Sequence, residues 1–155
     1  MTLTPHLTHM LLIGVVGVLS AWQIPLDVRR RVLSRRATGS ATFAVLVVMV
    51  VDLSVTRQIE RARMAFIWSL AVGGLYLSLN RVSPKSLGFG DVLLVVPLTL
   101  AVSYVAGEYV LMWQLLAAGS AATHGLVVRV TRGNSSIPFG PHLLGAAWVM
   151  LVFSL

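Results

Sequence analysis

The sequence contains no cysteine and few charged residues, and both shortages narrow its possible functions. Without cysteine the chain can form no disulfide, no thiolate metal site and no cysteine nucleophile. Only 11% of its 155 residues are charged, whereas 57% are hydrophobic, a balance that is typical of membrane proteins. The acidic residues number five against 12 basic ones. Any chemistry that needs a carboxylate therefore has few candidates.

Apolar runs dominate the rest of the sequence, and each is predicted to be a transmembrane helix. A helix of about 20 apolar residues crosses the hydrocarbon core of a bilayer. We predict six such spans, at about residues 7–26, 38–55, 64–80, 92–107, 109–128 and 138–155. The expected fold is therefore an all-α, polytopic membrane protein, with residues 1–155 forming one integral-membrane domain.

The basic residues lie between the apolar runs and predict the orientation of the chain. Nine of them fall in the connections after the first, third and fifth runs, three fall after the second, and none falls after the fourth. Because positive residues concentrate on the cytoplasmic side, we predict that the connections after the first, third and fifth runs are cytoplasmic and that both termini are extracytoplasmic. The protein is then expected in the inner or cytoplasmic membrane. Basic residues in such positions indicate contact with anionic lipids and no nucleic-acid partner.

This topology brings two acids to one membrane face, since Asp27 directly follows the first run and Asp91 directly precedes the fourth. Two carboxylates can hydrolyse a peptide when one is ionised to draw a proton from water and the other is protonated to donate to the carbonyl. The helix macrodipole favours an anion at Asp91 and disfavours one at Asp27. We therefore expect Asp91 to carry the charge and Asp27 to hold the proton.

Glycines flank the second acid in the run Gly88-Phe89-Gly90-Asp91. Glycine permits backbone conformations that are closed to other residues and allows another chain to approach closely. We interpret Gly88 and Gly90 as a hinge that exposes the carboxylate to a substrate.

Three segments together resemble the type IV prepilin peptidases, in the order in which that family carries its motifs. Residues 27–34, which read DVRRRVLS, resemble the first aspartate motif. Residues 87–94, which read LGFGDVLL, resemble the G-x-G-D motif, and residues 137–141, IPFGP, resemble the turn that opens the last span. The chain departs from the family at Val32-Leu33-Ser34, where members have an Ile-Pro-Asn-like turn, and at Leu93, where a lysine is frequent.

The resemblance implies an intramembrane aspartic endopeptidase with Asp27 and Asp91 as its catalytic pair. Such an enzyme removes the short basic leader from a type IV prepilin, pseudopilin or preflagellin-like precursor, and it needs no cofactor or metal. The remaining motif residues are implied to support the site: Gly88, Gly90, Pro138, Phe139, Gly140 and Pro141. Larger members carry a cysteine-containing N-terminal cytoplasmic region linked to methylation; this chain has no cysteine and resembles the short, cleavage-only members.

Two other functions remain open. A presenilin or signal-peptide-peptidase type of protease shares G-x-G-D, but it usually has Tyr-Asp and Pro-Ala-Leu motifs, and the sequence contains neither. A non-enzymatic polytopic protein, such as a small transporter or an assembly subunit, would use its acids to relay protons or to stabilise packing.

Overall fold

A computed structural model describes residues 4–30, 33–83, 87–132 and 138–154 of the chain. Within them the chain forms six α-helices, with a 3₁₀ turn at Gly107–Tyr109 between the fourth and the fifth, and no strand. The helices are α1 (Thr4–Arg30), α2 (Arg35–Thr56), α3 (Ile59–Val82), α4 (Phe89–Ala106), α5 (Val110–Arg132) and α6 (Gly140–Phe153). The predicted all-α class is confirmed.

Local sequence signals explain where several helices begin and end. Ser34 caps the start of α2, where its hydroxyl accepts a hydrogen bond from the backbone N–H of Ala37 at 3.3 Å. At the other end of α2, Arg57 adopts the left-handed conformation with φ 55° and donates its N–H to the carbonyl of Leu53. Pro141 lies in the first turn of α6, where its missing N–H costs no helical hydrogen bond. These signals set the first and last turns of α2 and the first turn of α6.

The bundle has two ends, which buried contacts identify. At the first, which we call the site end, the Gly140 backbone at the start of α6 lies against Asp27 near the end of α1. At the second, the opposite end, the buried carboxylate of Asp52 in α2 accepts hydrogen bonds from Thr8 of α1 at 2.5 Å and Tyr104 of α4 at 2.6 Å. Helices α1, α2 and α4 therefore each reach from one end of the bundle to the other.

Helix α4 lies at the centre of this bundle and contacts each of the other five helices. Most of its residues are buried, Leu94, Val95 and Leu98 completely. By contrast, the outer faces of α1 and α2 expose large apolar side chains such as Val18 and Phe43, as expected of a surface that faces lipid. Asp91, at the start of α4, is thereby enclosed by protein.

Four helical stretches are long and apolar enough to cross a membrane, fewer than the six predicted spans. They are His6–Arg29, Arg35–Thr56, Ile59–Val82 and Phe89–Thr131. The last is a single run of 43 residues because the 3₁₀ turn joins α4 to α5 with no break in helical structure. Helix α6 has only 14 residues, short of the roughly 20 that span a bilayer. The chain is a helical membrane protein with several helices able to cross the membrane.

The two chain ends lie together at the opposite end of the bundle. The imidazole Nε2 of His9 lies 2.6 Å from the carbonyl oxygen of Leu151 and 3.4 Å from the hydroxyl of Ser154. Since α6 begins beside Asp27 and ends here, it runs the length of the bundle despite having only 14 residues. The chain also reverses direction at the 3₁₀ turn between α4 and α5. This follows because His124 of α5 contacts His142 in the first turn of α6, and that turn lies at the site end, where α4 begins.

Candidate active site

The structure brings the two predicted catalytic acids together. Asp27 lies in the last turn of α1 and Asp91 in the first turn of α4, and their side chains are close enough to interact electrostatically. Asp27 is 6% exposed and Asp91 is 9% exposed. Asp27 lies within α1, which continues beyond the predicted end of the first span to Arg30. The pair is thus held between two helix ends inside the protein.

Backbone groups at the start of α4 position Asp91. Its Oδ2 accepts a hydrogen bond from the N–H of Gly88 at 3.2 Å, an N–H that the helix leaves unsatisfied. The connection before it is tied to α3, since the side-chain amide of Asn80 donates to the carbonyl of Leu87 at 2.6 Å. A carboxylate that accepts from a helix N-terminus is favoured as an anion. Burial and the neighbouring Asp27 oppose the charge, so which of the two acids is ionised stays a prediction.

Asp27 has a different environment, in which one carboxylate oxygen lacks a well-aligned partner. In the described part of the chain, its Oδ2 is buried without a well-aligned hydrogen bond, although the backbone N–H of Gly140 interacts with this carboxylate. A buried polar oxygen needs a partner, so this atom requires a proton of its own, a water molecule or an atom of a bound substrate. A β-carbon placed at Gly140 would approach it to 2.6 Å. The lack of a side chain at residue 140 therefore gives this oxygen its room.

Leu33 packs into a notch between two of the predicted motif glycines. A β-carbon at Gly90 would lie 2.9 Å from the Leu33 Cβ, and one at Gly140 would lie 3.3 Å from its Cδ2. Neither these glycines nor Gly88 adopts the left-handed backbone that only glycine readily tolerates. Gly88 and Gly90 thus use no backbone conformation that is closed to other residues, and their role as a hinge stays a prediction. Gly90 is required because Leu33 lies directly against it.

A buried glutamine holds the turn that carries Leu33. The side chain of Gln23 is fully buried. It donates to the carbonyl of Ser34 at 3.0 Å and to the Thr38 hydroxyl at 2.8 Å, and it accepts from the Ser34 N–H at 2.8 Å. These three bonds fix the start of α2 against α1, one turn from Asp27. Sequence reasoning missed Gln23, because nothing in the sequence indicates that the turn returns to meet it.

Two aromatic side chains, one from α3 and one at the start of α6, lie beside the two aspartates. The ring of Tyr76 lies 6.2 Å from that of Phe139, a predicted motif residue, and Tyr76 also lies within electrostatic range of Asp91. The Tyr76 hydroxyl donates to Oε1 of Gln114 in α5 at 2.8 Å. The amide nitrogen of Gln114 is the other buried side-chain atom without a partner in the described residues. Tyr76 and Gln114 carried no recognisable motif.

The remaining motif residues lie around this site or beyond the described ranges. Pro138 and Pro141 flank the Phe139-Gly140 pair at the start of α6. Ile137 and Val32 fall outside the residues that the structure describes. Leu93 borders a groove of about 420 Å³ between α2 and α4, together with Arg35, whose guanidinium lies 5.6 Å from the centre of the Phe89 ring.

Comparison with known proteins gives no further assignment. No protein-family model, curated protein or solved structure matches the chain significantly. The site must therefore be interpreted from its own chemistry.

The reactive groups of the site are the two carboxylates of Asp27 and Asp91. Among the described residues, no group of three or more histidine, aspartate or glutamate side chains could hold a metal ion. Two buried carboxylates that interact, one bound to a helix N-terminus and one with an unsatisfied oxygen, form the arrangement in which one can be ionised while the other holds a proton. Such a pair can activate water and polarise a carbonyl.

Proposed function

We propose that the chain is an intramembrane aspartic endopeptidase that removes the short basic leader from type IV prepilin-like precursors at the cytoplasmic membrane face. The observation that carries the proposal is the meeting of Asp27 and Asp91 at one end of a membrane protein, where Leu33 packs against both Gly90, next to Asp91, and Gly140, which lies against Asp27. The resemblance of residues 27–34, 87–94 and 137–141 to the prepilin peptidase motifs supports the choice of substrate class.

In the proposed reaction, the ionised Asp91 accepts a proton from a water molecule while the water oxygen bonds to the scissile carbonyl carbon. Asp27 gives its proton to the carbonyl oxygen, which forms a neutral gem-diol. Asp91 then passes its proton to the leaving amide nitrogen, Asp27 takes one back from a hydroxyl, and the C–N bond breaks. The water is consumed and both acids return to their starting states.

The proposal includes six membrane crossings, with the site end of the bundle in the cytoplasmic half of the inner or cytoplasmic membrane. Arg29, Arg35 and Arg36 are exposed at this end. They suit contact with anionic lipid headgroups, which attract basic residues next to a membrane span. A leader that carries positive charge would be repelled by these arginines and thereby oriented at the membrane face.

The two acids and a third buried acid allow a matched test. The protein is expressed together with a Flp-type prepilin, and the size of the precursor is followed on an immunoblot. We expect wild-type protein to shorten the precursor and Asp27→Asn and Asp91→Asn to leave it intact at unchanged protein levels. Asp52→Asn is the control, because Asp52 is 5% exposed but lies at the opposite end of the bundle.

The same experiment separates the alternatives. An intact precursor with wild-type protein across several prepilins would overturn the proposed substrate class. Loss of protein from the membrane in both aspartate variants would point instead to acids that stabilise packing, as in a transporter or assembly subunit.

A further inference from the structure

A second polar cluster lies between α5 and α6 and does not include the aspartates. Nδ1 of His124 lies 3.0 Å from Nε2 of His142, and Nδ1 of His142 lies 3.0 Å from the hydroxyl oxygen of Ser120. The two imidazole rings are 5.2 Å apart, centre to centre, and tilted by 53°. Ser120 and His124 are exposed on α5 and His142 is half-buried on α6. The cluster is therefore accessible from outside the bundle.

Its position in the sequence makes this cluster unusual. His124 belongs to the apolar stretch Phe89–Thr131. Ionisable side chains within membrane-crossing stretches are costly and mark functional sites more often than they serve packing. Here the histidine side chains face each other across two helices, rather than the protein core.

The hydrogen bonds fix which ring nitrogens face each other. A neutral imidazole has one N–H and one lone pair. Ser120 occupies Nδ1 of His142, so Nε2 of the same ring points to Nδ1 of His124, and a single proton lies between these two nitrogens. His142 thereby has the arrangement of a metal-binding histidine, in which one ring nitrogen faces the ion and the other is held by a hydrogen bond.

From this geometry we infer that His124 and His142 form a two-histidine binding site for a divalent transition-metal ion, with Ser120 as a positioning residue. The ion binds Nδ1 of His124 and Nε2 of His142 beside the line that joins them. The proton between them moves to Nε2 of His124 while Nδ1 of His142 keeps its proton and donates it to Ser120, so both rings remain neutral. Two ring nitrogens leave the other coordination positions to water molecules or to another small ligand.

The distance between the two ligand nitrogens favours some divalent metal ions over others. Two imidazole nitrogens at about 2.05 Å from an ion and 3.0 Å from each other subtend about 94° at it. This is near the angle between neighbouring ligands of a tetragonal or octahedral ion. The site should therefore bind Cu²⁺ most tightly and Ni²⁺ or Zn²⁺ more weakly, in the usual order of stability for nitrogen ligands.

The inference does not depend on the proposed peptidase function, although the two sites are neighbours. His142 is two residues beyond Gly140, whose backbone lies against Asp27. A bound ion would join α5 to the first turn of α6 and hold this turn in place. Metal binding should therefore raise the melting temperature of the protein.

The test uses the full-length protein purified through a tag without histidine, with Cu²⁺ alone as the probe. Titration followed by electron paramagnetic resonance should show one ion per chain, with hyperfine splitting from two imidazole nitrogens. His124→Gln and His142→Gln should each weaken binding by at least about tenfold and leave a single-imidazole spectrum or none. Ser120→Ala should weaken it by roughly tenfold, the usual effect of removing a hydrogen bond behind a ligand.

His6→Gln is the matched control, because His6 is an exposed histidine at the opposite end of the bundle. It should leave the stoichiometry and the two-nitrogen spectrum unchanged. Each variant is compared with wild type by its melting temperature without metal, so that a folding defect is recognised. The inference is overturned if wild-type protein binds no Cu²⁺ or if the His124→Gln/His142→Gln double variant still binds it with the same spectrum.

Discussion

At the scale of single residues, the site depends on two glycines whose lack of a side chain leaves room for their neighbours. Gly140 leaves the space that Asp27 Oδ2 occupies, and Gly90 leaves the space for Leu33. Both positions were predicted from their motifs, and Gly90 was also interpreted as part of a hinge. The structure shows close packing at both, which no pattern in one sequence reveals because it depends on which side chain arrives opposite the glycine.

Gly140→Ala tests this packing directly. Its β-carbon would lie 2.6 Å from Asp27 Oδ2, so either the carboxylate or the start of α6 must move. We expect the rate of precursor cleavage to fall by at least about tenfold, since overpacking of this kind costs roughly 1–3 kcal/mol. Cleavage is measured by immunoblot at equal protein levels.

Gly145→Ala is the control for this change on the same helix. A β-carbon at Gly145 meets nothing within 4 Å, and alanine favours helix over glycine. It should cleave at the wild-type rate. Equal rates for Gly140→Ala and wild type would mean that Asp27 does not need the space beside Gly140.

For Asp52, the residue type alone does not indicate how far the side chain is buried in the protein. The sequence places it near one end of the second predicted span, where we expect a capping or salt-bridge role on the outer side of the membrane rather than a third catalytic acid. In the structure it is buried and accepts hydrogen bonds from the hydroxyls of Thr8, Tyr104 and, in its own helix, Thr56. Two of these partners come from other helices, so only the three-dimensional packing identifies them.

At the scale of elements, the turn between α1 and α2 is the part that aligns the site. Its contacts with Gln23 run between residues 11 to 15 positions apart. The sequence predicts the two helices and the turn between them, because the apolar runs and the basic residues mark them. It does not predict the glutamine, since a polar residue inside an apolar run has no periodic signature.

Gln23→Leu should therefore loosen this turn. The backbone N–H and carbonyl of Ser34 would lose their partner, at a cost of about 1–3 kcal/mol for a buried group left unsatisfied. We expect a lower melting temperature in detergent and slower cleavage. Gln58→Leu makes the same replacement at an exposed glutamine between α2 and α3 and should change neither. An unchanged melting temperature for Gln23→Leu would show that the turn is held by other contacts.

At the scale of the whole molecule, the sequence predicts why two acids 64 positions apart meet. Alternating apolar runs place the end of α1 and the start of α4 at one end of the bundle, and the structure agrees. The sequence predicts six membrane crossings, whereas the structure has four stretches that are long and apolar enough to cross. The two numbers differ because α4 and α5 are joined by a 3₁₀ turn without proline and because α6 is short. Helix α6 can be short because it lies against α1, α4 and α5.

The topology can be tested because the chain contains no cysteine. Single cysteines are introduced at three exposed positions, Gln58, Ser83 and Glu108, and intact cells are treated with a thiol reagent that cannot cross membranes. Gln58→Cys and Glu108→Cys should be labelled, whereas Ser83→Cys should be labelled only after the cells are opened. Labelling of Glu108→Cys only in opened cells would contradict a reversal of the chain outside the membrane between α4 and α5.

The most direct test of the account is the cleavage rate of a synthetic prepilin peptide by purified protein in proteoliposomes, with the product identified by mass spectrometry. The account predicts cleavage at one bond after the basic leader. It also predicts that Asp27→Asn and Asp91→Asn each slow cleavage by at least about 100-fold, the usual contribution of a general acid or base, while Asp52→Asn keeps the wild-type rate. Cleavage that persists in either aspartate variant would contradict the claim that Asp27 and Asp91 act as a catalytic pair.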